Sequence, residues 1–174
     1  GVRAVSPAEL LEAVSARLGD AVLDRHERLG DATIEVARER IHEVLTALRD
    51  DPELRFNFLM DLTGVDYPGR EQRFEVVYHL ASIELEPASG GSSVVHRRLR
   101  VKLRVPEVPC TVPSVSSVFA SANWMEREAW DMYGIRFDGH PDPRRILLYE
   151  EFQGHPLRKD YPKNKRQPLV GRLN

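Results

Sequence analysis

Residues 94–105 read VVHRRLRVKLRV. Leu99, Val101, Leu103 and Val105 alternate with Arg98, Arg100, Lys102 and Arg104, the period-two pattern of a strand with one apolar face. The four cations leave the opposite face to water or to a partner, so helices are expected on one side of the sheet only.

The stretches around this strand agree. Residues 73–85 (RFEVVYHLASIEL) put Phe74, Val76, Tyr78 and Leu80 on one face, and Gly90-Gly91 mark the connection to 94–105. Residues 56–67 (FNFLMDLTGVDY) form an earlier strand stopped by Pro68-Gly69, and residues 21–36 two shorter strands around a Gly30-Asp31 turn. Two helices belong to the same unit. Ser6, Pro7 and Glu9 carry start signals and a capping box ahead of Leu10, Leu11, Val14 and Leu18, with Gly19 as the stop. Ile41, Val44, Leu45 and Leu48 form the apolar face of the second helix, which closes near Pro52. The order α-β-β-α-β-β-β predicts a two-layer α+β domain with helices on a mixed sheet of about five strands.

After Pro106 the texture changes. A Pro-rich extended stretch (106–115) leads to a predicted helix pair, SVSSVFASA (114–122) and NWMEREAWDMYG (123–134). Asn123 is placed to cap the second helix with Glu126 three residues on, and Gly134 to end it. Glu128 and Asp131 share a face, Arg127 can pair with Asp131, and Met125, Ala129 and Met132 make an apolar stripe. Beyond Gly134 the chain is rich in Pro, Gly and Arg and shows no period. The expected division is therefore an α+β body at 1–135, including this helix, and an extension at 136–174.

The extension writes one corner twice, Gly139-His140-Pro141 and Gly154-His155-Pro156, each followed by a basic pair, Arg144-Arg145 and Arg158-Lys159. Glycine supplies the unusual backbone angles. Proline fixes its own φ and keeps the preceding His out of the helical region. Each His side chain then serves a neighbouring carboxylate or carbonyl, a positioning role. From His155 onward six cations (Arg158, Lys159, Lys163, Lys165, Arg166, Arg172) face one anion (Asp160), a local charge of +5. Leu157, Tyr161, Leu169, Val170 and Leu173 are spaced among them. Alone, such a segment buries too little to offset its ordering entropy. It is expected to be disordered, or ordered against an acidic groove on another protein.

Composition narrows the function. The chain has 174 residues and a net charge of −2, against a dedicated nucleic-acid binder. The cationic strand lacks interleaved aromatics for base stacking. Its only cysteine, Cys110, excludes an internal disulfide and a thiolate-only cluster, and reads as a filler in a Pro-flanked loop. No run of about 18 apolar residues predicts a membrane span, and the N-terminal residues lack a secretion-signal layout. GGSS at 90–93 has no Lys and opens no helix, so it is a flexible connection, not a phosphate loop. His26, His42, His79 and His96 stand isolated at the surface or core edge. A metal or acid–base centre at Glu126, Glu128 and Asp131 has no His on the same helix. His140, His155 and Cys110 match no compact ligand spacing. Capping and pairing with Arg144, Arg145, Arg158 and Lys159 is the simpler role for these carboxylates.

EREAWDMYGIRFDGHPDPRRIL (126–147) and GHPLRKDYP (154–162) resemble the signature of the C-subunit family, the 30-kDa-type subunit of respiratory complex I, the proton-pumping NADH–quinone oxidoreductase. RFNFLMDLTGVDYP, RFEVVYHL and PSVSSVFASANWMERE extend the resemblance over roughly residues 55–162. Pro143 departs from it, standing where the family typically has Leu. The resemblance implies a non-catalytic subunit of the hydrophilic arm, on the cytoplasmic face of the plasma membrane or the matrix side in mitochondria. It implies no cofactor in this chain, with FMN, iron–sulfur clusters and quinone held by partners. Those partners are the quinone-site 49-kDa-type (D) subunit and the cluster-bearing B and I subunits. It implies structural and interface roles for Glu126, Arg127, Glu128, Asp131, Gly134, Gly139, His140, Pro141, Arg145, Gly154, His155, Pro156, Leu157, Arg158, Lys159, Asp160, Tyr161 and Pro162. Two alternatives remain at this level: the equivalent subunit of a membrane-bound hydrogenase or of an F420- or ferredoxin-linked dehydrogenase, and a stand-alone metal-dependent hydrolase built on Glu126, Glu128, Asp131 and the two corner histidines.

Overall fold

A computed structural model describes residues 5–88 and 91–170, with backbone alone for residues 85–88 and 91–96. Helix α1 (Pro7–Leu18) starts with the reciprocal Ser6–Glu9 capping box and buries Leu10, Leu11, Val14 and Leu18. Strands β1 (Val22–Arg28) and β2 (Asp31–Val36) follow, then α2 (Ile41–Asp50) behind one 3-10 turn (Arg38–Arg40). Strands β3 (Phe58–Asp66), β4 (Phe74–Ala88) and β5 (Gly91–Val105) complete a sheet of order β1-β2-β5-β4-β3. All pairs are antiparallel except β2 with β5, so the sheet is mixed.

The register explains the core. Ile34, Val101, Tyr78 and Leu62 lie in one cross-strand row, and the apolar faces of α1 and α2 and Ala122 and Ala129 join the same buried cluster. The opposite face carries the cationic stripe, which is largely paired within the sheet and not free as expected. Arg100 reaches Asp31 at 3.4 Å, Lys102 reaches Glu75 at 3.5 Å and Arg104 reaches Glu35 at 2.9 Å. Neighbouring strands set carboxylates opposite the cations, a cross-strand arrangement that a single strand's pattern does not reveal.

Three other expectations change. Gly91, Ser92 and Ser93 belong to β5, paired in register with β4, and are not a flexible connection; Gly90 and the His96 side chain lie outside the described residues, as do Arg172 and Leu173. The expected helix at 114–122 is a set of turns, with Val118 and Phe119 both donating to the Val115 carbonyl. Ser114 competes for the local backbone there, its hydroxyl accepting from the Ser116 N–H at 3.2 Å. One helix follows, α3 (Ala122–Tyr133). It starts at Ala122, its N-cap residue Ser121 makes no side-chain capping bond, and Asn123 sits inside the first turn. Two short strands, β6 (Thr111–Pro113) and β7 (Arg136–Asp138), pair in parallel on either side of α3 in sequence.

Candidate functional site

The densest cluster of polar contacts lies where the extension crosses the body. The last buried apolar residue among those described is Phe137, yet the chain beyond it follows a defined path over α3 and the β3–β4 turn. Contacts with this chain's own body define that path. What holds it is polar.

The first fastening is Asp131. Packing of its neighbours Ala129 and Met132 turns this residue inward on α3, where it is fully buried. Oδ2 accepts from the backbone N–H groups of Ile146, Leu147 and Leu148 at 3.2, 2.8 and 2.9 Å. Oδ1 accepts from Arg145 Nη1 at 2.6 Å. Successive N–H groups converging on one anion form a nest. Burial pushes the Asp131 carboxyl up, but the Leu148, Arg145, Leu147 and Ile146 donors outweigh it and hold it below the usual carboxylate range. Arg145 also ties the extension to itself through the carbonyls of Phe152 (3.0 Å) and Gly154 (3.1 Å). The predicted Arg127–Asp131 pair does not form. Arg127 instead donates to the Arg144 and Arg145 carbonyls, both at 3.0 Å.

The two corners use their histidines as expected. Gly139 and Gly154 have φ of 83° and 96°. His140 Nδ1 accepts from the Asp142 N–H at 2.9 Å, so Nε2 carries the proton and donates to the Asn123 carbonyl at 2.9 Å. Beneath it, Glu126 turns away from the helix start and accepts from Ser114 Oγ (2.7 Å) and the Val115 N–H (2.6 Å), fixing the turns before α3. Burial raises the Glu126 pKa despite these donors. A cleft of about 460 Å³ opens beside this corner, lined by Glu126, Arg127, Trp130, Phe137, His140 and Pro143 among others.

In the second corner, His155 Nδ1 donates to the Asp131 carbonyl at 3.0 Å, and its ring lies 5.0 Å from that of Trp130. Burial lowers the His155 pKa, and the Arg158 and Arg145 charges lower it further. Gly134 has φ of 75°, and a Cβ there would stand 2.6 Å from His155 Cδ2 and 2.7 Å from Arg158 Nη2. Only glycine lets the end of α3 pass so close under the extension. The Leu157 N–H donates to the Met132 carbonyl and Arg158 Nε to the Tyr133 carbonyl, so the helix's terminal carbonyls are satisfied from the extension.

The second fastening is not legible in the sequence. Arg73, 8% exposed, forms a bidentate pair with buried Asp66 at 2.8 and 2.9 Å. Arg73 also reaches Asp160 and Glu107, and Asp66 accepts from the Lys159 N–H at 2.8 Å. Arg73 is the main cause that holds Asp66 and Asp160 below the ordinary carboxylate range. The Arg158 guanidinium sits 4.9 Å from the Phe74 ring centroid and the Lys159 ammonium 5.9 Å from that of Tyr67. Asp66 and Arg73 flank the Pro68-Gly69 turn, and this spacing hints at a pair across the mouth of a hairpin. Their reach to residues 159 and 160 has no local signal.

Tyr161 stacks on Phe152 with centroids 6.3 Å apart and bonds Gln167, while Gly154 passes close to its ring. The Pro162 carbonyl accepts from the Lys165 N–H. Pro141, exposed, and Pro156, half-buried, complete the two bends. Glu128 is exposed, Glu126 faces the turns before α3 and Asp131 faces the nest, so the three carboxylates do not converge on one centre. Among the described residues, no three His, Cys, Asp or Glu side chains group as metal ligands. Several apolar side chains of the extension point outward: Leu147, Leu157, Leu169 and Val170 are 59%, 51%, 100% and 56% exposed.

The molecule is thus an α+β body carrying a polar-latched strap. The family model described as "Respiratory-chain NADH dehydrogenase, 30 Kd subunit" matches residues 34–167, spanning both parts. The chain belongs to that family. It is 47% identical over 160 residues to the C subunit of NADH-quinone oxidoreductase from Citrifermentans bemidjiense, covering 91% of this chain and 92% of that protein. It is 49% identical over 159 residues to the protein of the same name from Roseiflexus sp. strain RS-1, covering 91% and 86%. A solved structure described as "Nqo5 of the trypsin-resistant fragment (1-134) in P63 form" superposes with a TM-score of 0.60 at 34% identity, covering 78% of this chain and 97% of the fragment. No helix among the described residues is long and apolar enough to cross a membrane.

Proposed function

We propose that this chain is a non-catalytic scaffold in the hydrophilic arm of a proton-pumping NADH–quinone oxidoreductase, the enzyme that passes electrons from NADH through FMN and iron–sulfur clusters to quinone. Its body, residues 1–135, is the folding unit. Its extension, residues 136–174, meets the quinone-site D subunit and lies near the cluster-bearing B and I subunits. The arm sits peripherally on the cytoplasmic face of the plasma membrane, and the cofactors reside in the partners. The signature residues from Glu126 to Pro162 fasten the extension and shape the surface it offers.

The observation that carries this reading is the inversion of the extension. Its polar groups are consumed inward by Asp131, Asp66 and Arg73, while Leu147, Leu157 and Leu169 face out beside exposed Lys159, Lys163 and Arg166. Apolar anchors ringed by cations suit a partner surface with apolar pockets and acidic rims. The names of the relatives, C subunits of NADH-quinone oxidoreductase, favour this assembly over a hydrogenase or an F420- or ferredoxin-linked dehydrogenase. The solved relative is a trypsin-resistant fragment, which supports a body that stands as a unit. Deleting residues 139–174, which spares strand β7 and buried Phe137, is expected to leave the body folded and abolish co-purification with the D subunit; a truncated chain that still isolates with the intact arm defeats the proposal.

A further inference from the structure

We propose that the body carries a docking surface of its own, apart from the extension, on the flank where the start of β3 meets the first turns of α3. Its occupant is a segment of a neighbouring subunit in which Lys or Arg stands beside apolar side chains. The inference rests on the chain's place in a multi-subunit enzyme and not on which subunit the extension meets.

The two outer strands of the sheet, β1 and β3, are finished differently. β1 sets Asp24, Arg25, His26, Glu27 and Arg28 in succession, all exposed, and such charges discourage another chain from settling on an edge. β3 opens with Phe58 and Met60, 47% and 45% exposed, and carries no cation. Met60 is the extra residue of a bulge between Leu59 and Asp61, so it has no register partner on β4. Helix α3 runs alongside β3 in the same direction: the Ser121 hydroxyl donates to the Leu59 carbonyl at 3.4 Å, and a Cβ on Gly64 would stand 2.8 Å from Tyr133 Cδ2. Trp124 and Glu128 follow Ser121 by three and seven residues, which keeps them on the same flank of the helix. Trp124 is 64% exposed. Phe, Met and Trp side chains, the types that anchor interfaces, thus gather outside the core on one flank.

The rim specifies the charge of the occupant. Asp61 and Glu128 are exposed, and neither forms a salt bridge among the described residues; Asp61 accepts only from the N–H of the next residue. The cations nearby are engaged. The Arg127 guanidinium lies 5.4 Å from the Trp124 ring centroid and donates to the Arg144 and Arg145 carbonyls. Arg98, two strands in from Phe58, faces Asp31 at 3.6 Å. Apolar anchors edged by unpaired carboxylates complement a cationic segment. This is the reverse of the extension, whose apolar anchors stand among cations, so the chain presents surfaces of opposite charge to its neighbours.

The test uses the intact complex. With p-benzoylphenylalanine replacing Phe58 or Trp124, irradiation is expected to join both positions to one neighbouring subunit, at a segment where Lys and Arg outnumber Asp and Glu. No cross-link from either position, a cross-link to an acidic segment, or one to a second copy of this chain would overturn the proposal. Reversing the rim with Asp61→Lys and Glu128→Lys, both at exposed positions, is expected to lower the salt concentration at which this chain is stripped from the complex, with the Tm of the isolated chain unchanged. Unchanged resistance to salt counts against the proposal; if the double variant lowers the Tm, the cross-links decide. Co-purification of the D subunit with the chain lacking residues 139–174 would defeat the reading of the extension and leave these outcomes as they are, so the two failures are distinguishable.

Discussion

The body and the extension are held together by opposite means. In the body, helices α1, α2 and α3 bury apolar side chains against one face of a five-stranded sheet, and cohesion scales with apolar area removed from water. In the extension beyond Phe137, no apolar side chain among the described residues is buried. Cohesion there comes from two carboxylates: Asp131 accepts from the backbone N–H groups of residues 146–148, 15 to 17 residues on, and Asp66 from that of Lys159, 93 residues on. The first mechanism tolerates small errors in position and is insensitive to pH. The second requires named donors within about 3 Å and depends on protonation state. One chain therefore contains a robust part and a part that single polar changes can release.

The largest effect should come from Arg73→Ala. It removes the partner of buried Asp66 and the contact to Asp160 together, leaving an uncompensated buried charge at a cost of about 3–5 kcal/mol. Both a lower Tm and faster proteolysis of the extension are expected; loss of one without the other would show that Arg73 belongs to only one region. Next is a matched pair. Leu45→Ala, at a position with no exposure, should cost about 2–5 kcal/mol of global stability. Leu157→Ala, half exposed, should stay within about 0.5 kcal/mol yet weaken co-purification with the partner. Equal stability losses measured by denaturant unfolding would erase the contrast between the two regions.

Gly134→Ala should cost about 1–3 kcal/mol through its left-handed φ. The added Cβ collides with His155 and Arg158, so the loss should register as exposure of residues 155–161 to protease ahead of the sheet. The smallest effect is in pH. The His155 pKa is depressed by burial, with Arg158 and Arg145 adding to it while the Asp131 backbone bond opposes. Its contribution is therefore fully present above the unfolded value of 6.5 and declines as pH falls below that towards the lowered folded pKa. Asp131, Asp66 and Asp160, depressed from 3.8, contribute above that value and lose their contribution only as pH falls further. Exchange of the extension's amides, corrected for the intrinsic pH dependence of exchange, should accelerate from pH 7.5 to 5.5 while sheet amides hold; a flat profile, or one unchanged in His155→Gln, would show that His155 does not help to hold the extension.

The regular elements of the body are legible because their signals are local. Leu99, Val101, Leu103 and Val105 alternate within seven residues, and Ser6 and Glu9 cap within one turn. Gly134, Gly139 and Gly154 announce positive φ for the same reason. Residues 114–122 mislead because serines that allow a helix also compete for its backbone, and because Val115 serves Glu126 of the next helix. Asp131 stands out in the sequence, but with Arg127 as its partner, since a four-residue spacing is what a helix presents without its surroundings.

The body's layers, the direction of its apolar faces, the two rigid corners and the family resemblance can all be read from the residues in order, because each depends on positions close to one another. Where the buried carboxylates send their lone pairs is settled by folding. Asp131 meets residues 145–148, and Asp66 meets Lys159, which lies 93 residues away. Hydrogen bonds of that kind are chosen by distances that exist only after the chain has folded, and a composition too poor in apolar surface to hold itself says nothing about them.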